Sequence, residues 1–371
     1  MALQIQWPPH LAQRVEALRA IQRTKRLPIL LVNDGPEVSY LTGFEGDDSW
    51  ALVTPDSVWL ITDSRYSQQA AQQCPWVRIV VRKKGLAEAL AKIMPRNGLS
   101  SLAAQAESIT VREERSLRTA LGKSGKKVAY KSVEGMVFPL RNRKDAVEIE
   151  LIEQAVAVAQ HGFEKLKAGL HTGMSENEIA ALLVYEMRRR GAEDASFETI
   201  VAAGANGSLP HYRPGNVRLE NNTALLIDWG ARVGGYRSDL TRMIFVGQVP
   251  RKVKEIYQVV REAQQAAIAA IKPGLTGRAV DKIARNIIKK AGYGDAFGHG
   301  LGHGIGRDIH EPLSLSPRST VILEAGMVVT VEPGIYLPGI GGVRIEDDVL
   351  VTRQGHRVLS TLPNDIGSAR L

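Results

Sequence analysis

Two aspartates interrupt a pair of apolar, strand-like runs in the segment LLIDWGARVGGYRSDLTR, residues 225–242. An ionised carboxylate in such a run is costly unless a cation or hydrogen bonds compensate it. If Val233 and Gly234 form a two-residue hairpin turn, residues opposite each other have numbers that sum to 467. Asp228 and Asp239 satisfy that sum. The segment therefore predicts two carboxylates side by side, with Cβ atoms about 4.5–5.5 Å apart.

A second pair of acids lies in the segments GMVVTVEPGIYLPG (326–339) and GGVRIEDD (341–348). Glu332 and Glu346 have numbers that sum to 678, which places them opposite each other across a turn centred on Gly339. Like charges at this separation need a compensating cation. Two hairpins would thus each present two carboxylates to a cation site.

Histidines add a nitrogen ligand to these acids. Four of the eight lie in two stretches: His211 in SLPHYRPG, and His299, His303 and His310 in FGHGLGHGIGRDIHEP. Glycines on both sides of His303 allow close approach of the backbone to a ligand. One imidazole and four carboxylates form a hard, oxygen-rich set, which suits two divalent ions such as Mn²⁺. Their charges match and leave a bridging hydroxide as nucleophile in a hydrolase. Asp347 and Asp348 are interpreted as solvated or supporting residues.

Composition limits the remaining possibilities. A chain of 371 residues predicts two domains, and its apolar runs stay short of the roughly 18 residues that a membrane span needs. The N-terminus lacks the pattern of a secretory signal, and Cys74 alone cannot form an internal disulfide, which fits the cytoplasm. The net charge of +9 includes the run Arg82-Lys83-Lys84. No aromatic stacking pattern accompanies it, so we interpret the run as solvated surface and expect no nucleic-acid binding.

Periodicity predicts an α/β (α+β) chain. The first third alternates a helix over Pro9 to Arg26 with strands at 28–33, 51–62 and 77–81, which is typical of a compact three-layer domain. Residues 137–144 are interpreted as a connector. Beyond them the pattern predicts helices and strand-rich stretches; the helices are expected at about 145–169, 175–190, 251–271 and 276–291.

At these residues the chain resembles the pita-bread metallopeptidases, the family of Xaa-Pro aminopeptidase, prolidase and methionine aminopeptidase. The family's ligand order is matched by Asp228, Asp239, His303, Glu332 and Glu346. PEVSYLTGF and ITDSRY are similar to the creatinase-type N-terminal domain of the proline-specific members. The resemblance implies a creatinase-like domain at 1–136, followed at 137–371 by a pita-bread catalytic domain whose curved antiparallel sheet carries the ligands. It also implies two divalent ions per subunit, most consistent with Mn²⁺ and alternatively Co²⁺ or Zn²⁺.

The resemblance further implies residue roles. Glu332 would be both a metal ligand and the general acid/base. His211 would bind substrate and stabilise the intermediate, and His310 would contact the scissile amide or its carbonyl. His299 would lie near the substrate proline, and Arg344 would support Glu346 or orient the substrate.

The choice of substrate rests on fewer residues. A complete ligand set argues against creatinase activity and against a binding-only relative, and the N-terminal domain argues against a methionine aminopeptidase. Several prolidases carry an arginine shortly after the His-Glu motif that grips the dipeptide carboxylate. Ser314 stands there in this chain, with Arg318 nearby as a substitute. A missing clamp leaves room for longer peptides.

We therefore expect an Xaa-Pro aminopeptidase that releases the N-terminal residue from peptides with proline second. Xaa-Pro dipeptidase (prolidase) is the alternative, and a non-catalytic binding protein a remote one. The resemblance also implies a homodimer. A departure from many relatives is Leu301, where they carry threonine, so any hydrogen bond of that hydroxyl is in doubt.

Overall fold

The computed structural model describes residues 6–125 and 127–371, and the chain forms two compact units, Met1–Arg141 and Asn142–Leu371. The sequence prediction drew the boundary after residue 136. The first unit continues to Arg141 because the segment interpreted as a connector begins with a short helix, and Val137 and Leu140 pack into that unit's core. Within the described residues, no helix is long and apolar enough to cross a membrane.

The first unit is a three-layer sandwich, as the alternating pattern predicted. Its helices are α1 (Pro9–Lys25), α2 (Gly35–Thr42), α3 (Ser67–Gln73), α4 (Leu86–Arg96), α5 (Val111–Gly122) and α6 (Phe138–Arg141). Its strands are β1 (Leu30–Val32), β2 (Trp50–Val53), β3 (Val58–Thr62), β4 (Arg78–Val81), β5 (Ser101–Gln105) and β6 (Ala129–Val133). They form one mixed sheet in the order β4-β3-β2-β1-β5-β6. Successive side chains alternate between its faces, so Leu30 packs with α1 and α2 while Leu31 packs with α4 and α5.

The second unit contains four long helices and many short strands. The helices are α7 (Ala146–Gly169), α8 (Glu176–Arg189), α9 (Arg251–Ala270) and α10 (Gly277–Lys290). The strands are β7 (Asp194–Ala195), β8 (Ile200–Ala203), β9 (Thr223–Trp229), β10 (Ala231–Val233), β11 (Tyr236–Arg237), β12 (Leu240–Val246), β13 (Gly302–Gly304), β14 (Glu311–Leu315), β15 (Val328–Val331), β16 (Gly334–Leu337), β17 (Gly341–Arg344), β18 (Asp347–Val351) and β19 (His356–Val358). All four helices lie where the periodicity predicted them.

Helix α8 begins where its sequence indicated. Ser175 accepts a hydrogen bond from the Glu178 amide, and the Glu178 carboxylate accepts one from the Ser175 amide. This reciprocal arrangement satisfies two backbone donors that the first turn would otherwise leave unpaired. It positions the residue that follows, Glu176, whose side chain turns into the protein and is fully buried.

The strands of the second unit form small antiparallel sheets, and these sheets meet where the candidate site lies. β9 lies between β8 and β12, and a second sheet has the order β14-β13-β15-β18-β19. A single pairing between Thr241 and Glu346 joins the two sheets. In β9, Ile227 and Trp229 face the core formed with α7 and α8. Asp228 therefore points to the opposite side of its sheet.

Candidate metal centre

The first acidic pair lies on a hairpin whose register differs from the prediction. β9 and β12 place Asp228 opposite Thr241, so the numbers of opposed residues sum to 469 rather than 467. The predicted direct pairing of Asp228 with Asp239 is wrong. A shift of two residues leaves every side chain on its predicted face, and both aspartates still line one cavity.

Turn chemistry explains the shift. The central turn residues are Gly234 and Gly235, with φ of 56° and 75°, and Val233 pairs with Tyr236. A two-residue turn of this kind needs positive φ at both central positions, which glycine tolerates and β-branched valine resists. The two consecutive glycines were the signal that placed the turn one residue later.

The second hairpin has the predicted register. β15 and β18 pair Val331 with Asp347, and β16 and β17 pair Gly334 with Arg344, so opposed numbers sum to 678 in both ladders. Glu332 lies in the break between β15 and β16, and its amide donates to the Leu301 carbonyl at 2.8 Å. The break in the ladder leaves the glutamate side chains free to face the cavity.

All nine predicted site residues line one cavity of about 500 Å³ in the second unit. They are Asp228, Asp239, His211, His299, His303, His310, Glu332, Arg344 and Glu346. Ligand atoms of Asp239, His303 and Glu346 lie within 4.8 Å of one another, which is close enough to share a metal ion. Residues scattered over more than a third of the sequence are thereby brought into one chemical site.

His303 is held in the form that binds a metal. Its Nδ1 lies 3.0 Å from the Gly304 carbonyl, and because a carbonyl only accepts, Nδ1 carries the proton. Nε2 is then free, 3.5 Å from Asp239 Oδ2 and 3.4 Å from Glu332 Oε1. Burial lowers the pKa of the imidazole to about 4, which keeps it neutral at physiological pH.

The acids facing His303 repel one another. Burial, and then the carboxylates of Glu346 and Asp228, raise the pKa of Asp239 well above its usual value. Burial and then Glu332 do the same for the pKa of Glu346, and burial raises the pKa of Glu332 to about 8. A cluster that resists ionisation in this way is stabilised as anions by a bound cation.

The acids also keep oxygen atoms available. Thr241 donates to Glu346 Oε2 at 2.6 Å, and Thr330 donates to Glu332 Oε1 at 3.2 Å. Asp228 Oδ1 and Glu346 Oε1 are buried and have no hydrogen-bond partner among the described residues. Buried polar atoms are seldom left unpaired. These oxygens, with the imidazole nitrogen, fit a hard divalent cation.

Arg344 lies in the cavity wall and is 3% exposed. Its guanidinium donates to Asp228 Oδ2 at 2.6 Å, to the Tyr336 hydroxyl at 2.8 Å and to Thr241 Oγ1 at 3.1 Å. The Tyr336 hydroxyl lies 2.9 Å from His299 Nε2. Since His299 Nδ1 contacts the Gly300 carbonyl, Nε2 accepts the tyrosine proton. A continuous hydrogen-bonded chain thus runs from Asp228 to His299.

Several supporting residues had no role in the sequence prediction. Thr241, Thr330 and Tyr336 each hold a predicted site residue, and only their positions within the acidic segments signalled them. Asp347 and Asp348 are buried rather than solvated. Asp348 Oδ2 accepts from the Asp239 amide at 3.0 Å, which matches the supporting role that the sequence analysis left open for it.

The remaining histidines lie toward the cavity opening. His211 and His310 are exposed, and the His310 ring packs edge-on against His303 with centroids 4.4 Å apart. Burial lowers the pKa of His310, followed by the effect of His211. Both side chains are therefore accessible to a molecule that enters the cavity.

Leu301 and the two residues that bore on the substrate prediction, Ser314 and Arg318, lie away from the cavity lining. Leu301 is fully buried in the apolar core, so its side chain replaces no cavity hydroxyl. Ser314 lies in β14 opposite His303, and its hydroxyl contacts Ser316 Oγ at 3.3 Å. Arg318 is exposed and does not line the cavity. Arg318 thus does not replace the missing prolidase arginine within this structure.

Comparison with known proteins agrees with this geometry. The profile of the Creatinase/Prolidase N-terminal domain matches residues 14–142, and that of Metallopeptidase family M24 matches residues 150–353. The chain is 43% identical over 237 residues to an Xaa-Pro dipeptidase of Pyrococcus furiosus, which covers 64% of this chain and 68% of the relative.

Two solved structures extend the likeness to nearly the whole chain. An Xaa-Pro dipeptidase from Bacillus anthracis is 36% identical with a TM-score of 0.92, covering 97% of this chain and 100% of that one. An X-Pro aminopeptidase from Thermotoga maritima is 37% identical with a TM-score of 0.85, covering 92% and 99%. The creatinase-type and pita-bread folds are confirmed. Because the matched profile, the fold and the acid–histidine cavity coincide, the chain belongs to Metallopeptidase family M24.

Proposed function

We propose that the protein is an Xaa-Pro dipeptidase, which hydrolyses the bond between an N-terminal residue and a C-terminal proline. The observation that carries the proposal is a complete acid–histidine set in one cavity of a chain that resembles an Xaa-Pro dipeptidase over 97% of its length. The relatives thus favour the alternative of the sequence analysis over its first choice. Apolar side chains of Phe197, Ile200 and Ile309 also line the cavity and suit a pyrrolidine ring.

Two divalent cations, with Mn²⁺ as the first candidate, would be held by Asp228, Asp239, His303, Glu332 and Glu346. Charge supports two ions rather than one. The four carboxylates and Asp348, offset by the Arg344 guanidinium, leave an excess of four negative charges when all are ionised. When bound, such ions polarise the scissile carbonyl and lower the pKa of water.

The side chains supply the remaining steps. Glu332 takes a proton from the attacking water in this proposal and passes it to the leaving proline nitrogen. His310 and His211, accessible in the cavity, donate hydrogen bonds to the oxyanion that develops on the scissile carbonyl. Arg344 holds Asp228 in place, and His299 contributes to the wall against which proline packs.

An Xaa-Pro aminopeptidase is the second candidate. The specific observation in its favour is the likeness to the T. maritima X-Pro aminopeptidase over 92% of the chain. The two functions share the chemistry and differ in whether a peptide continues beyond proline.

Hydrolysis of Ala-Pro and Ala-Pro-Ala, measured side by side with Mn²⁺ and with EDTA, separates the two candidates. We expect the dipeptide to have the higher kcat/KM and EDTA to abolish cleavage. Preference for the tripeptide would establish the aminopeptidase instead, and no cleavage of either would refute both. The homodimer and cytoplasmic location implied by the sequence stay predictions. A mass near 40 kDa by size-exclusion chromatography with light scattering would contradict the dimer.

A further inference from the structure

A second guanidinium lies at the cavity. Arg213 lines it together with Glu198, and the two side chains form an ion pair with Arg213 Nε 3.3 Å from Glu198 Oε2. Their side chains are 82% and 66% exposed. A pair this exposed is held weakly and exchanges partners readily.

Arg213 is the cation at this cavity that is available to a substrate. Arg344, the other arginine of the lining, is buried and donates to Asp228, Tyr336 and Thr241. Arg318 does not belong to the lining. Among the described residues that line the cavity, Arg213 is therefore the one arginine that is exposed and pairs with an exposed carboxylate.

The segment carrying Arg213 is anchored. The neighbouring Tyr212 hydroxyl donates to Glu176 Oε2 at 2.8 Å, and the Gly215 amide donates to the same oxygen at 3.0 Å. Glu176 is fully buried and its other oxygen accepts from the Ala203 amide and the Asn206 side chain. The backbone on both sides of Arg213 is thus anchored, so an exposed side chain projects from a defined point two residues after His211.

We infer that Arg213 binds the C-terminal carboxylate of a dipeptide substrate, and that Glu198 is the partner it gives up on binding. The inference rests on the proposed function and names the residue that makes the enzyme selective for free dipeptides. Guanidinium binds carboxylate through two parallel N–H···O bonds, which a neutral amide cannot reproduce. In a longer peptide the carboxylate is displaced from Arg213, and Glu198 then faces a neutral peptide group.

Matched substrates isolate this contact. Ala-Pro and Ala-Pro amide share the scissile bond and differ in the terminal charge. Arg213→Met should raise KM for Ala-Pro by about tenfold or more, with kcat nearly unchanged, and leave KM for the amide as in the wild type. Arg213→Lys should have a KM for Ala-Pro between those of the wild type and Arg213→Met. Glu198→Gln should lower KM for Ala-Pro, because the competing carboxylate is gone. Arg318→Met is the matched control and should change neither substrate.

Each outcome of these measurements either supports the inference or overturns it. The inference is supported if Arg213→Met raises KM for Ala-Pro but not for Ala-Pro amide, and Glu198→Gln lowers KM for Ala-Pro. If Arg213→Met raises KM equally for Ala-Pro and its amide, or for neither, the inference is overturned while the dipeptidase function stands. A wild-type enzyme that cleaves neither Ala-Pro nor its amide refutes the proposed function and, with it, the inference.

Discussion

Arg344 and Asp228 are joined by a 2.6 Å hydrogen bond inside the cavity wall, so a buried cation holds one carboxylate of the metal centre. The same guanidinium donates to the hydroxyl of Tyr336, which in turn reaches His299. Arg344 therefore orients both the acid proposed to bind metal and, through Tyr336, the imidazole proposed to face the substrate.

Replacing Arg344 tests this arrangement. Arg344→Met should weaken Mn²⁺ binding by about 10- to 100-fold, because residues that orient metal ligands typically contribute that much. Arg344→Lys keeps the charge but not the three directed hydrogen bonds, and should recover only part of the affinity. Isothermal titration with Mn²⁺ measures both. Wild-type affinity in Arg344→Met would show that Asp228 is positioned without it.

Glu332→Gln should remove nearly all peptidase activity and leave the fold intact. The amide neither takes a proton from water nor returns it to the leaving nitrogen. Single-turnover kinetics and circular dichroism measure the two properties. Glu324→Gln, an exposed glutamate of the same unit that pairs with Arg143, is the control and should retain wild-type turnover. Substantial turnover in Glu332→Gln would remove Glu332 from the acid/base role.

Metal binding should raise the thermal stability of the second unit. A ligand that binds only the folded state and is present at 100 times its Kd raises the free energy of unfolding by about 2.7 kcal/mol. Scanning calorimetry with Mn²⁺ and with EDTA measures the difference in Tm. His303→Ala should abolish most of the Mn²⁺-dependent increase, whereas His171→Ala, at an exposed histidine, should not. An equal increase in both variants would place the metal elsewhere.

Gly302 precedes His303, the imidazole proposed to bind metal, and packs against Thr330. A Cβ at Gly302 would collide with the Thr330 carbonyl oxygen and lie 2.8 Å from its hydroxyl. Gly302→Ala should therefore displace β13, lower Tm and weaken metal binding. Gly298→Ala is the matched control, because a Cβ there meets nothing within 4 Å. Similar Tm values for the two variants would contradict this packing argument.

The first unit has its own pH dependence at Glu37. Burial raises the pKa of Glu37 to about 7, and the side chain accepts from Gln105 and lies 3.8 Å from Arg141. The folded state holds this proton to higher pH than the unfolded chain does. The contribution of the protonated Glu37 to the free energy of unfolding is fully present below pH 4.5 and is lost as the pH rises through about 7.

The free energy of unfolding of Glu37→Gln, relative to that of the wild type, should therefore rise by about 3 kcal/mol between pH 4.5 and pH 8. Urea unfolding at both pH values measures the difference. Most other titrations are common to both proteins and cancel. A stability difference that does not change with pH would show that Glu37 ionises normally.

Local patterns predicted the fold's elements, the four acids and the histidine stretches, whereas Arg344 and the individual roles followed from the family resemblance. Acids inside apolar strands and glycines around His303 were visible without a structure. The register around Asp228 was predicted wrongly, because the turn was assigned to Val233 and Gly234 rather than to the glycine pair Gly234 and Gly235. Arg213 and Tyr336 were missed because neither type is unusual in its segment. The contact of Tyr336 with His299 joins segments that are separate in the sequence, so only the fold brings it out.

The side chains proposed to bind metal come from four separate segments, and Asp239 and Glu346 are far apart in the chain. An ion bound by both would act as a non-covalent cross-link that closes a long loop, which the unfolded chain cannot hold together. Because that cross-link forms only after distant strands have paired, it should slow unfolding far more than it speeds folding. The ion that serves the chemistry would then also determine how long the protein persists in its active form.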